Sequence, residues 1–206
     1  MSKGRLEAFS DGVFAIAITL LVLDLKVPGG HPDGGLWEAL GREWPSFFAY
    51  LVSFLVIGII WVNHHAVFDR VRVVDRSVLF ANLALLLFVS VIPFPTRLVA
   101  EFLTSPADAR IAVAAYSAGM LGMAVSYTAL WLVITREAGI LHAHLDRAAE
   151  RAAVLRFGIG SVVYLCTVGL AFVHPIATLA IHGAIALYYC FDQLRSGMAT
   201  NPHGTT

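Results

Sequence analysis

A small set of polar residues stands in front of a long apolar run near the start of the chain. Arg5, Ser10 and Asp11 precede a stretch, Val13 to Leu23, whose side chains are almost purely hydrocarbon. Ionisable groups in membrane helices are costly and usually face a bundle interior or water, where they serve ion pathways or proton relays. These residues could therefore handle an ion, relay a proton or join helices through hydrogen bonds.

A second polar cluster, WVNHH at residues 61–65, lies near the end of the next apolar run. The first helix begins, and the second ends, on the same side of the membrane, so both clusters share one depth. A buried network between the two helices is expected, with a structural lock favoured over a ligand site. The residues at that depth are Arg5, Asp11, Asn63, His64 and His65.

Motifs of metal enzymes and hydrolases are missing from the sequence. The pairs His64–His65 and His142–His144 lack the spacing of a zinc or di-iron helix site, and the chain contains neither HExxH nor GxSxG. Cys166 and Cys190 fall inside apolar runs, which is typical of small buried hydrophobes. The sequence therefore predicts no metal, no cofactor and no enzyme.

The elements that position these residues are membrane helices. The chain is 58% hydrophobic over 206 residues, and its apolar runs are long enough to cross a bilayer core of ~30 Å. The expected class is an all-α integral membrane protein with one six-helix domain at 1–196 and a polar, disordered tail at 197–206. The predicted helices are 5–26, 45–70, 76–97, 109–135, 151–173 and 175–194.

Basic residues set the expected orientation. Ten of the 14 lie on the side of the termini and four on the other, so the positive-inside rule puts both termini in the cytoplasm of a multi-pass cell-membrane protein. The ten are Lys3, Arg5, Arg70, Arg72, Arg76, Arg136, Arg147, Arg151, Arg156 and Arg195. An equal number of acidic residues gives no sign of nucleic-acid binding.

The apolar part of helix one has its own pattern. Ile16, Leu20 and Leu23 recur at helical spacing and form one stripe, with Thr19 beside it. Such a stripe is more often packing than pore, although a hydrophobic constriction can gate an ion path by dewetting. Periodicity leaves both interpretations open.

The first three helices resemble those of the endosomal/lysosomal potassium channel family, the transmembrane protein 175 family. Its hallmark Arg-x-x-x-Phe-Ser-Asp is matched by Arg5, Phe9, Ser10 and Asp11, and the resemblance continues through WVNHHAVF and NLALLLFVSVIPFPT. It implies a potassium-selective channel without a TVGYG filter. TVGLA at 167–171 lies within a continuous apolar run and predicts no such filter.

The resemblance also implies roles for individual residues. Ile16 would form the narrowest point of the pore, Leu20 and Leu23 would extend the constriction, and Thr19 would supply hydroxyls to the permeant potassium ion. The motif and helix-two residues would form a supporting network. Its members are Arg5, Phe9, Ser10, Asp11, Trp61, Asn63, His64 and His65.

One motif and one six-helix unit imply a bacterial-type homotetramer in which helix one of each subunit lines a central pore. The main alternative is a proton- or cation-coupled secondary transporter that uses Asp11 and the helix-two histidines. A purely structural membrane protein is a third interpretation.

Overall fold

The computed structural model describes residues 2–29, 35–136, 140 and 147–199, with the backbone alone described for 147–157 and 191–199. Within these residues the chain forms eight α-helices and one 3₁₀ turn, Leu21–Asp24, which continues α1. The helices are α1 Lys3–Leu20, α2 Gly35–Arg42, α3 Trp44–Phe68, α4 Arg76–Val91, α5 Pro93–Phe102, α6 Asp108–Arg136, α7 Arg147–Ala171 and α8 Pro175–Ala199.

Four helical segments are long and apolar enough to cross a membrane, judged on the described residues. They are Lys3–Asp24, Trp44–Phe68, Arg76–Phe102 and Asp108–Arg136; two shorter apolar stretches, Gly158–Ala171 and Pro175–Cys190, lie in α7 and α8. The predicted all-α, multi-pass membrane class is confirmed. The number of six spans stays a prediction.

The third predicted helix is divided by a proline. Pro93 and Pro95 occupy the first turn of α5, and α4 ends at Val91 just before them. Proline lacks the amide hydrogen of a regular helix and its ring crowds the preceding turn, so a break at Ile92 is the physical consequence. The apolar segment still continues to Phe102 across the break.

Two elements differ from the predicted loops and ends. The first loop contains α2, a one-face amphipathic helix of eight residues with only Ala39 buried. Helix α8 runs to Ala199, and residues 200–206 of the expected tail lie outside the described residues.

Consecutive long helices alternate in direction, so one end of the bundle collects the start of α1 and α4 and the end of α3 and α6. The backbone supports this: the amides of Arg72 and Val73, just beyond α3, donate to the carbonyl oxygen of Ile140, just beyond α6. We call this end of the bundle the basic end. The core lies between α1, α3, α4 and α6, and α7 and α8 pack on α6 and α3.

Candidate functional site

Helix α1 has one face buried within its own subunit. Leu6, Ser10, Phe14, Ala17 and Leu21 are all buried, and their spacing of three or four residues keeps them on one side of the helix. This face packs against α3 and α4. The polar Ser10 therefore lies in the core and not at a solvated helix end.

A chain of side-chain hydrogen bonds ties this face to both neighbouring helices. Ser10 Oγ donates to the Leu6 carbonyl oxygen at 2.9 Å and accepts from Asn82 Nδ2 of α4 at 3.0 Å. Asn82 Oδ1 lies 2.8 Å from His64 Nε2 of α3. All three polar side chains are buried, so each bond also spares its partner the cost of an unsatisfied polar group.

Two phenylalanine rings pack against the His64 imidazole. The Phe14 ring meets it edge-on, with centroids 5.5 Å apart, and the Phe68 ring stacks on it at 4.4 Å. Phe68 lies one turn after His64 on α3 itself, whereas Phe14 comes from α1, so the Phe14 contact ties the imidazole to α1. This burial makes His64 a packing residue of the helix interface.

A second, more exposed contact lies one residue further along α1. Trp61 Nε1 donates to Asp11 Oδ1 at 2.9 Å, and His65 Nδ1 lies 3.7 Å from the same oxygen, beyond hydrogen-bonding distance. The Trp61 and His65 rings meet edge-on at 4.9 Å. Ser10 and Asp11 thus fasten α1 to α3 through separate groups of residues.

Three expected members of the network lie elsewhere. Arg5 is exposed and makes no hydrogen bond or ion pair with other described residues, and Phe9 is also exposed. Asn63 lines a cavity between α3, α6, α7 and α8. In the structure the network therefore contains Ser10 and His64 in its core and Asp11, Trp61 and His65 at its edge.

The opposite face of α1 is apolar and bare in the single subunit. Ile16 is 61% exposed, Leu20 42% and Leu23 75%. The 3₁₀ turn keeps Leu23 aligned with Leu20, because side chains three residues apart eclipse in that helix. A continuous apolar strip thus follows α1 on the side away from its own subunit.

The hydroxyl of Thr19 lies on this bare face. Its hydrogen is shared between the carbonyl oxygens of Ala15 and Ile16, at 2.8 and 2.9 Å. Because the proton points back into the helix, the lone pairs of Oγ1 point outward. Thr19 therefore presents an acceptor beside the exposed Ile16.

Sequence reasoning missed Asn82, which bridges Ser10 and His64, and two further buried polar groups. Ser53 Oγ lies 2.8 Å from Thr96 Oγ1 and 3.0 Å from the Tyr116 hydroxyl, which joins α3, α5 and α6. Ser117 Oγ lies 2.9 Å from His182 Nε2 and joins α6 to α8. A lone polar residue within an apolar helix is the sequence feature that could have pointed to each of these buried hydrogen bonds.

Within the described residues, no three His, Cys, Asp or Glu side chains lie close enough together to hold a metal ion. His142 and His144 lie outside those residues. Hydrogen bonds and packing therefore hold α1 in place. Its exposed face carries no charged side chain between Ile16 and Leu23.

Comparison with known proteins gives a consistent result. Residues 5–93 match the model of the family described as "Endosomal/lysosomal potassium channel TMEM175". A potassium channel of Streptomyces collinus is 54% identical over 93% of both chains, and one of Chamaesiphon minutus is 39% identical over 90% of this chain and 92% of its own. These names belong to channels, so the comparisons point to no enzyme.

A solved structure gives the same answer for the fold. The crystal structure of a lysosomal potassium-selective channel TMEM175 homologue from Chamaesiphon minutus superposes with a TM-score of 0.83 at 37% identity, covering 92% of this chain and 97% of that one. The resemblance in the first three helices is thereby confirmed and extends over nearly the whole chain. The chain belongs to the TMEM175 family and is similar to its bacterial members.

Proposed function

We propose that this chain is a subunit of a potassium channel whose pore is lined by α1 from four copies. The observation that carries the proposal is the division of α1 into two faces. The Ser10 face packs against α3 and α4, while the apolar Ile16 face is left bare by its own subunit. A bare apolar face can be covered by lipid or by other copies, and the channel names of the relatives favour other copies around a pore.

In this pore Ile16 forms the narrowest ring. Leu20 lies one helical turn beyond Ile16, ~6 Å along the axis, and forms a second ring. Leu23 forms a third ring further along α1. An apolar constriction provides no carbonyl oxygens to replace ion hydration and closes by dewetting. Potassium is the permeant ion, no cofactor is needed, and selection depends on partial dehydration helped by the outward lone pairs of Thr19.

The supporting network fixes the rotation of α1. If α1 turned by one residue, about 100°, the Ile16 face would move toward α3 or α4. The Ser10–Asn82–His64 chain and the Asp11–Trp61 bond resist this rotation from two sides of the helix. Arg5, at the start of the same helix, is exposed and available to lipid head groups or to another copy.

Assembly and topology complete the proposal. Four copies in closed cyclic symmetry place four equivalent α1 helices around one axis. Helices α7 and α8 add two spans to the four apolar segments, which gives six per subunit, and the basic end faces the cytoplasm of a bacterial cell with both termini.

The test is potassium flux from purified protein in liposomes, with Ile16→Asn compared with Leu87→Asn. Leu87 is a matched control because it is 60% exposed and lies at a similar depth on α4, away from α1. Ile16→Asn wets the ring, so we expect a several-fold rise in flux and a smaller preference for potassium over sodium. Leu87→Asn should leave both values unchanged.

Equal flux and selectivity in wild type and Ile16→Asn would remove Ile16 from the pore. Wild-type protein that passes no cation would favour a purely structural role. A coupled transporter that uses Asp11 and the helix-two histidines is less well supported, because His64 bonds to Asn82 in a separate group of contacts and His65 Nδ1 lies 3.7 Å from Asp11 Oδ1, beyond hydrogen-bonding distance.

A further inference from the structure

A cavity of about 410 Å³ lies between α3, α6, α7 and α8, apart from the α1 face. Its size falls within the range of ~300–1,000 Å³ that is usual for small-molecule sites. The described lining contains no charged side chain and is mostly aliphatic. Representative lining residues are Val56, Ile59, Ile60, Val163 and Ile185.

One end of the cavity collects uncharged polar side chains. On α3, Asn63 lies seven residues after Val56, and on α8, Tyr188 lies seven residues after Ile181, a separation of ~10 Å along each axis. Both helices run toward the basic end of the bundle, so Asn63, Tyr188 and Tyr189 gather on that side. Three uncharged hydrogen-bonding residues thus stand nearer the membrane surface, while Tyr127 and Tyr164 are the polar members of the otherwise aliphatic remainder of the described lining.

The cavity opens sideways toward the medium around the bundle. Ile159 and Tyr188, which line it, are 54% and 66% exposed. In a membrane that medium is lipid, and tyrosine is enriched where an apolar body meets a polar interface. Most of the described lining is aliphatic and offers water few partners, and an empty cavity would lack the dispersion contacts of a packed interior.

We propose that this cavity holds one acyl chain of a bilayer phospholipid. The methylene chain occupies the deep part between Val56, Val163 and Ile181, and the ester region lies near the hydroxyls of Tyr188 and Tyr189. Uncharged walls exclude an ion, a nucleotide or a free carboxylate in the deep part. The site is independent of the pore face, because its described walls come from α3, α6, α7 and α8.

Gly160 gives a way to fill the cavity. It lines the space, and a Cβ atom built on it meets nothing within 4 Å, so Gly160→Leu places a side chain where the acyl chain would lie. Gly169→Leu is the matched control, because Gly169 lies on the same helix, also has nothing within 4 Å, and does not line the cavity. Ala184→Leu fills the cavity from α8 and serves where Gly160→Leu fails to assemble.

The experiment reconstitutes each protein into phosphatidylethanolamine vesicles with a trace of phosphatidylethanolamine that carries a diazirine midway along one acyl chain. After illumination, labelled peptides from residues 158–190 are quantified by mass spectrometry. Wild type and Gly169→Leu should be labelled equally. In Gly160→Leu and Ala184→Leu, the labelling of the cavity residues should be about tenfold lower than in wild type. This change is equivalent to ~1.4 kcal/mol.

Equal labelling of these residues in wild type and in the filled variants would overturn the proposal. Cross-links between the α8 helices of two subunits, in place of lipid labelling, would assign the cavity to a second copy and also overturn it. Native mass spectrometry of the wild type gives a measurement that needs no variant. One phospholipid retained per subunit supports the site, and complete loss of lipid under conditions that preserve the assembly contradicts it.

Discussion

His64 and Asn82 are joined through Nε2 and Oδ1 at 2.8 Å, and Ser10 fixes the direction of that bond. The Ser10 hydroxyl donates to the Leu6 carbonyl, so it accepts from the Asn82 amide nitrogen. This turns the amide oxygen of Asn82 toward His64, and the imidazole must therefore carry its hydrogen on Nε2. Asn82 is the central member of this hydrogen-bond chain, because it bonds both to Ser10 of α1 and to His64 of α3.

Replacing Asn82 with Leu should destabilise the protein. The substitution removes two hydrogen bonds and leaves His64 Nε2 without an acceptor in a buried position, at a cost of ~1–3 kcal/mol. The thermal midpoint of the detergent-purified protein should fall clearly. Ser90→Ala on the same helix is the control, because Ser90 is exposed and, among the described residues, bonds only to the Leu87 carbonyl within its own helix.

The double variant His64→Leu/Asn82→Leu separates the network from simple loss of packing. Removing both partners leaves fewer unsatisfied groups, so the double variant should lose less stability than the sum of the single variants. Strict additivity of the two losses would mean that the hydrogen bond contributes nothing to the helix interface.

The sequence places His64 in a network with the start of helix one because the two share one depth, and the family resemblance adds Ser10 to that network. The sequence could not predict that Asn63 lines the cavity instead. At about 100° per residue, Trp61, His64 and His65 fall on one side of α3 and Asn63 falls on the other, and the rotation of α3 decides which side faces α1. Asn82 depends on the rotation of α4 in the same way.

The two faces of α1 illustrate the same limit. Spacing puts Ile16, Leu20 and Leu23 on one stripe, but the Ser10 stripe is equally periodic and almost as apolar. Which stripe is buried follows from the bond of Ser10 to Asn82 of α4 and, through Asn82, to His64 of α3, and those contacts join residues distant in sequence. The break at Ile92, by contrast, follows from Pro93 locally.

Replacing Thr19 with Val should weaken selectivity while leaving the fold intact. The side chain keeps its approximate volume but loses the oxygen whose lone pairs point away from the helix. We expect the potassium-to-sodium permeability ratio, measured from bi-ionic reversal potentials, to fall by up to about tenfold, or ~1.4 kcal/mol.

Thr128→Val is the matched control for Thr19→Val. Thr128 makes the same kind of bond, from Oγ1 to the Ala124 carbonyl at 2.9 Å, but it lies on α6. Loss of the Thr128 hydroxyl should leave the potassium-to-sodium permeability ratio at the wild-type value. If the two variants change the ratio equally, the effect comes from the helix backbone and not from an oxygen in the pore.

Replacing Asp11 with Asn distinguishes a channel from a coupled transporter. Asparagine still accepts from Trp61 Nε1, so the α1–α3 contact survives while the negative charge is lost. In a channel limited at Ile16, passive potassium flux should stay within about twofold of wild type, a difference of under ~0.5 kcal/mol in the barrier. Asp11→Leu, which cannot accept the bond, should lower the yield of assembled protein.

The opposite result for Asp11→Asn would support the transporter. Flux that requires a proton gradient in wild type and disappears in Asp11→Asn would make this carboxylate part of a coupling step. Both measurements use the same liposomes, with and without an imposed pH difference.

Replacing Gly122 with Ala should destabilise the helix pair α4–α6. A Cβ atom on Gly122 would overlap the ring of Phe88, so the ring or the helices must move, at a typical overpacking cost of ~1–3 kcal/mol. Gly58→Ala is the control, because a Cβ atom there meets nothing within 4 Å and alanine favours the helix by ~0.5–1 kcal/mol. Heat denaturation in one detergent should therefore move the two variants in opposite directions from wild type. A Gly122→Ala protein as heat-stable as wild type would show that α4 and α6 can separate without loss, and that Gly122 does not set their distance.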